Sequence, residues 1–136
     1  MEETKKIFIG QAVTGQDMNL LQNEMEKIYD VLKQKDYSVY STLEEEGKNK
    51  FKKAGDWVTH AFQYIDNSDV FLVIVRTEHR SEGLLIEIGY ALAKKKKIVL
   101  AINNNIKNTY LRDFTEHIIE FKDVNDLINK LSKTKL

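Results

Sequence analysis

Short apolar runs that are near-continuous rather than alternating recur along the chain, and they constrain its fold more than any other feature. Lys5–Gly10 (KKIFIG), Asp69–Val75 (DVFLVIV), Ile98–Ile102 and Ile118–Phe121 each hold apolar residues at successive positions. A strand with one wet face alternates, whereas a strand buried on both faces does not. Tyr37–Ser41 supplies one more strand. Segments with helical spacing separate them. Asp17 can cap a helix whose apolar residues Leu21, Met25, Ile28 and Leu32 keep the 3.6-residue period and fade near Asp36. The charged stretch Glu44–Lys53 opens a second helix with a core face of Phe51, Ala54, Val58, Ala61, Phe62 and Ile65. A third buries Leu84, Ile88, Ala91 and Leu92, and a last one Val124, Leu127, Ile128 and Leu131, with Asn103–Thr109 as a loop. Strands alternating with helices, joined by right-handed crossovers, predict an α/β three-layer sandwich of flavodoxin-like, Rossmann-like type. Its five parallel strands take the order 2-1-3-4-5, with the switch point between strands one and three.

With 136 residues and 42% hydrophobic content, the chain builds one core, a single domain over residues 1–136. Its 21 basic and 21 acidic residues balance, so no net field recruits nucleic acid or an anionic membrane. No cysteine, no secretory leader and no apolar run near ~18 residues is present, which predicts a cytoplasmic protein. His60, His79 and His117 lack metal-ligand spacing, so neither a metal nor a cofactor is expected. Lys94–Lys97 complements a helix dipole at its carboxyl end.

Ligands of open parallel sheets bind outside the carboxyl ends of the strands, so chemistry is sought in two loops. Gly10–Asp17 holds Gly10, Thr14 and Gly15; it lacks the dinucleotide and P-loop patterns, but its amides can cradle a phosphate. Arg76–Gly83 leads into a helix bearing Glu87 at the edge of its buried stripe, and Ser81, Gly83 and Glu87 form a set. Ser81 also suits a helix N-cap. Asp66 and Asp69 end a helix and begin a strand, Trp57 and Phe62 read as core, and Tyr90 projects opposite the buried stripe toward another element or a subunit.

The pattern S-x-G-x-x-x-E-I-G-Y-A-L-A from Ser81, followed by a lysine run and an apolar strand, resembles the nucleoside 2-deoxyribosyltransferase family. IFIGQAVTG resembles that family's first strand and loop, and IDNSDVFLVIV its third strand. The resemblance implies a nucleoside or nucleotide substrate and makes Glu87 the group that attacks the anomeric carbon, displaces the base and holds a glycosyl ester. Another base resolves the ester in a transferase, and water in a hydrolase. Members acting on 5′-monophosphates resemble this chain in carrying serine at Ser81, where a carboxylate would repel phosphate. Two positions depart from the family: Ile7 stands where it has tyrosine and Ala61 where it has aspartate. His60, at helical spacing from Asp56, is the substitute acid to consider. The resemblance further implies a homodimer or higher homo-oligomer, with Asn108 and Thr109 reaching a neighbour's site and Tyr90 and Ile86 supplying contact area. Two alternatives stand beside it. One is a TIR-like NAD glycohydrolase, which shares the fold type and the serine-to-glutamate spacing; the other is a nucleotide-binding module without catalysis.

Overall fold

A computed structural model describes residues 4–12, 16–45 and 53–136. The elements run β1 (Lys6–Gln11), α1 (Met18–Gln34), β2 (Ser38–Ser41), α2 (Ala54–Asp66), β3 (Val70–Val75), α3 (Glu82–Ala93), β4 (Lys97–Asn103), β5 (His117–Phe121) and α4 (Val124–Lys133). All strands pair in parallel, in the order β2-β1-β3-β4-β5, as expected from the apolar runs.

Those runs are continuous because successive side chains feed two different cores. Ile7, Ile9, Leu72, Ile74, Val99 and Ala101 meet α1 and α4 on one face. Phe8, Phe71, Val73, Ile98 and Leu100 meet α2 and α3 on the other. The helices start where their caps say. Asp17 Oδ1 accepts from the Asn19 and Leu20 amides at 3.0 and 3.2 Å, and Asp123 Oδ1 accepts from Asp126 at 2.8 Å. No helix among the described residues is long and apolar enough to cross a membrane.

Two local expectations change, and one element appears that the sequence pattern did not predict. The second helix begins at Ala54, not within the charged stretch: Thr42–Glu45 forms a short 3-10 turn, and Phe51 lies outside the described residues. Leu92 is 38% exposed, at the margin of the α3 stripe, where it faces a cavity instead of the sheet. A 3-10 turn at Leu111–Phe114, too short to show a period, follows the loop after β4.

Candidate active site

α3 follows directly from the loop at the carboxyl end of β3. Its N-cap is Ser81, whose Oγ accepts from the Leu84 amide at 3.2 Å. Beyond the cap the helix divides into three stripes. Leu84, Ile88 and Ala91 are buried toward the sheet. Gly83, Glu87 and Tyr90 line up, three and four residues apart, toward α2: a Cβ on Gly83 would meet Val58 at 3.3 Å, and the Tyr90 ring stacks on Phe62 with centroids 4.1 Å apart. Glu87, between these two contacts, enters the α2–α3 seam where α2 presents Val58, Ala61 and Phe62. Burial raises its carboxyl to about 7, and no described residue hydrogen-bonds or ion-pairs with it. The third stripe, Leu85, Gly89 and Leu92, lines a cavity of about 350 Å³ beneath the connection from β4 to β5.

The switch point itself is tightly closed. A Cβ on Gly10 would lie 2.5 Å from the Phe71 ring and 3.1 Å from Leu84, so glycine lets α3 settle against β1. Beside it, Gln11 Oε1 accepts from Arg76 Nη1 at 2.6 Å while Arg76 Nε pairs with Glu24 at 3.1 Å. Burial lowers the Arg76 pKa, and the Glu24 carboxylate opposes that shift. The Gln11 amide Nε2 is buried with no hydrogen-bond partner among the described residues. Sequence reasoning missed both side chains; their signal is a polar residue immediately at or after the end of an apolar strand.

A family model described as nucleoside 2-deoxyribosyltransferase matches residues 14–125. The chain belongs to that family. No curated protein matches it in sequence. Among solved structures it is similar to the CMP N-glycosidase BcmB of Clostridium botulinum, with TM-score 0.73 and 21% identity, covering 96% of this chain and 100% of that one. It is also similar to a 2-deoxyribosyltransferase from the psychrotolerant bacterium Bacillus psychrosaccharolyticus, with TM-score 0.65 and 22% identity over 91% and 90% of the two chains. A conserved protein from Enterococcus faecalis V583 shares the fold at TM-score 0.66 and 14% identity, over 96% of this chain and 99% of that one.

Within the deoxyribosyltransferase frame, the two departures separate. Ile7 is 1% exposed and belongs to the α1/α4 core, on the face of the sheet away from Glu87, so its exchange leaves the seam untouched. Ala61 is 1% exposed on the same face as Glu87, and there the change is local to the seam. His60, the substitute acid expected from the sequence, sits one position before Ala61 on α2. Its ring meets Tyr64 edge-on at 5.0 Å, and Tyr64 stacks on Tyr40 at 4.1 Å, which turns His60 toward β2 while Val58 and Phe62 turn toward α3. Thr14 and Gly15 lie outside the described residues. Asn108 and Thr109 line the cavity across α3 from Glu87, where the Asn108 carbonyl accepts from Arg80 at 3.1 Å. Trp57 and Phe62 are half-buried, and Tyr90 packs within its own chain.

Proposed function

We propose that the protein breaks the N-glycosidic bond of a nucleoside 5′-monophosphate by forming a glycosyl ester on Glu87. The bond from C1′ to the base nitrogen breaks as an oxygen of the Glu87 carboxylate bonds to C1′, and the departing base takes its proton from water. Water then releases the sugar phosphate, or a second base takes the glycosyl group. Glu87 carries the proposal: it is a half-buried carboxyl with no partner among the described residues, inside a family whose chemistry needs one. Only the ionised form attacks, so kcat/KM rises with pH through about 7.

Three features favour a phosphate. Ser81 uses its oxygen to accept from Leu84 and keeps its own proton to donate. Gln11 Nε2 is a buried donor without a partner among the described residues, and Gly10 opens the same loop. Thr14, Gly15 and Gly83 complete the substrate-binding set expected from the sequence. Incubation with a panel of nucleosides, 5′-monophosphates and NAD, with released base measured by chromatography, tests the reaction and its substrate together. Base release from monophosphates that vanishes in Glu87→Gln supports it. Turnover of NAD alone would favour the TIR-like alternative, and binding of monophosphates without base release the non-catalytic one.

The working unit in this proposal is a homodimer. Leu85, Leu92, Tyr110 and Phe114, 44, 38, 80 and 59% exposed, rim the cavity that holds Asn108 and Thr109. A contiguous apolar patch of this kind is the usual mark of a protein interface. Asn108 and Thr109 lie across α3 from their own Glu87, and in this proposal they complete the site of the second subunit. Sedimentation of the wild type and of Tyr110→Glu tests this. A wild-type monomer with full activity would overturn it.

A further inference from the structure

α3 has an ambiguity that α1 and α4 lack. Apolar residues surround it: Leu84, Ile88 and Ala91 are buried, yet Leu85, Ile86 and Leu92 are 44, 54 and 38% exposed. At 100° per residue, a turn of the helix by one position exchanges Leu84, Ile88 and Ala91 for Leu85, Gly89 and Leu92 without burying a charged side chain. Burial of apolar area therefore sets the helix against the sheet but only weakly sets its rotation. Glu87 lies at the edge of the buried stripe, so rotation decides whether its carboxyl enters the seam or meets water.

We propose that the Tyr90–Asp66 contact fixes this rotation, making Tyr90 and Asp66 positioning residues for the reaction assigned above to Glu87. The inference rests on that assignment. Tyr90 lies one turn beyond Glu87 on the same stripe. Its hydroxyl donates to the Asp66 carboxylate, 2.8 and 2.7 Å from the two oxygens, at the last residue of α2. Its ring stacks on Phe62 at an interplanar angle of 10°, and Lys94 Nζ sits 5.5 Å over the ring centroid. Lys96 Nζ donates to the carbonyls of Asp66 and Ser68, anchoring the end of α2 to the turn after α3. At the other end of the seam, the Gly83–Val58 approach allows close contact but has no directional bond. A polar contact with one good geometry selects a register that apolar packing leaves open.

Among the described residues, the charged groups in this seam are Asp66 and the lysines that flank Tyr90. Asp56 and His60 lie on other sides of α2, and the sheet presents apolar Phe71 and Val73. The Tyr90 phenol stays protonated, since its hydrogen bond to Asp66, then burial, then the Asp66 charge all raise its pKa. The contact thus persists across the working pH range.

Three variants test the proposal: Tyr90→Phe, which keeps the stack and removes the hydroxyl; Asp66→Ala, which removes the acceptor; and Asp66→Asn, which restores an acceptor oxygen. Each is read by kcat and KM and by a carbon-13 NMR titration of the Glu87 carboxyl without substrate. Tyr90→Phe and Asp66→Ala are expected to lower kcat roughly tenfold with KM little changed, as a displaced nucleophile does. In both, the Glu87 midpoint moves down from about 7 toward the ordinary carboxylate range. Asp66→Asn recovers most of both. A wild-type Glu87 titration in Tyr90→Phe and Asp66→Ala overturns the proposal, whatever happens to melting temperature. Because the titration needs no turnover, it stays separate from the assignment of Glu87: loss of that assignment would show as undiminished base release in Glu87→Gln.

Discussion

The two faces of the sheet hold their buried charges in opposite ways. On the α1 side, Arg76 is enclosed with Glu24 as ion pair and Gln11 as acceptor, so its charge is compensated where it lies. On the α3 side, Glu87 is half-buried on the stripe between Gly83 and Tyr90 with nothing described to compensate it, and its carboxyl rises to about 7. A compensated charge is structural; an uncompensated one is held ready to react with something that arrives later. The helices above the two faces differ in the same sense. α1 and α4 each bury one clean stripe, Leu21, Met25, Ile28 and Leu32 in the first and Leu127 and Leu131 in the second, whereas α3 is apolar on several sides.

The comparison breaks most visibly at Glu87. Glu87→Gln keeps size and burial but removes the nucleophile, and base release is expected to fall by about three orders of magnitude or more. Chromatography of released base checks this, and intact-protein mass spectrometry of the wild type should show the glycosyl adduct that the variant lacks. A fall of less than tenfold would make Glu87 a structural acid like Glu24.

On the other face the same isosteric change acts on stability. Glu24→Gln leaves the Arg76 guanidinium, 12% exposed, without its counter-ion. Losing one member of a buried pair costs about 3–5 kcal/mol, and the 19% exposure of Glu24 brings the expectation here to about 2–3 kcal/mol. Urea denaturation measures it. If stability is unchanged, Arg76 is compensated by other groups and the contrast between the faces weakens.

A third prediction sets stability against pH. The Glu87 pKa is higher folded than unfolded, so between about 4.5 and 7 the folded chain holds the extra proton. Stability is therefore fully present below the unfolded value and is lost as pH rises through about 7. Glu87→Gln removes the penalty, and after allowing for partial exposure it should stabilise the protein by on the order of 2 kcal/mol at pH 8.5 and by nothing measurable near pH 4. Parallel denaturation curves at the two pH values decide it; an equal gain at both would trace the effect to packing.

What the sequence revealed follows this division. The strand order and both outer helices of the α1/α4 layer were legible because each rests on a regular apolar pattern, with Asp17 also marking the start of α1. Ser81 was legible as the N-cap of α3, and Glu87 as a residue at the edge of its buried stripe. The setting of α3 was not: Leu92 reads as core and Tyr90 as outward-facing because a helix apolar on many sides has no sharply defined wheel, and its rotation is fixed by contacts far away in sequence, Phe62 and Asp66. The pairing of Gln11, Glu24 and Arg76 was hidden for the same reason, since it joins three elements that only the folded sheet brings together.

The smallest effect asks whether the faces differ in backbone as they do in side chains. α1 and α3 end alike: Asp36 and Lys95 take left-handed φ values of 65° and 56°, and the amides of Tyr37 and Lys96 donate back to Leu32 and Ala91 at 3.2 and 3.0 Å. Glycine suits that position better than any residue with a Cβ, but aspartate tolerates it better than lysine does. Lys95→Gly is therefore expected to stabilise by about 1 kcal/mol and Asp36→Gly by about half as much, in thermal denaturation at pH 5, where Glu87 is protonated in the folded chain. Gains in that order would mean that the two helix ends obey one rule and that the faces diverge only in where their charges lie. A loss in Lys95→Gly alone would show that the turn after α3, which carries Lys94 and Lys96 to Tyr90 and Asp66, depends on a stiffer chain than its counterpart after α1.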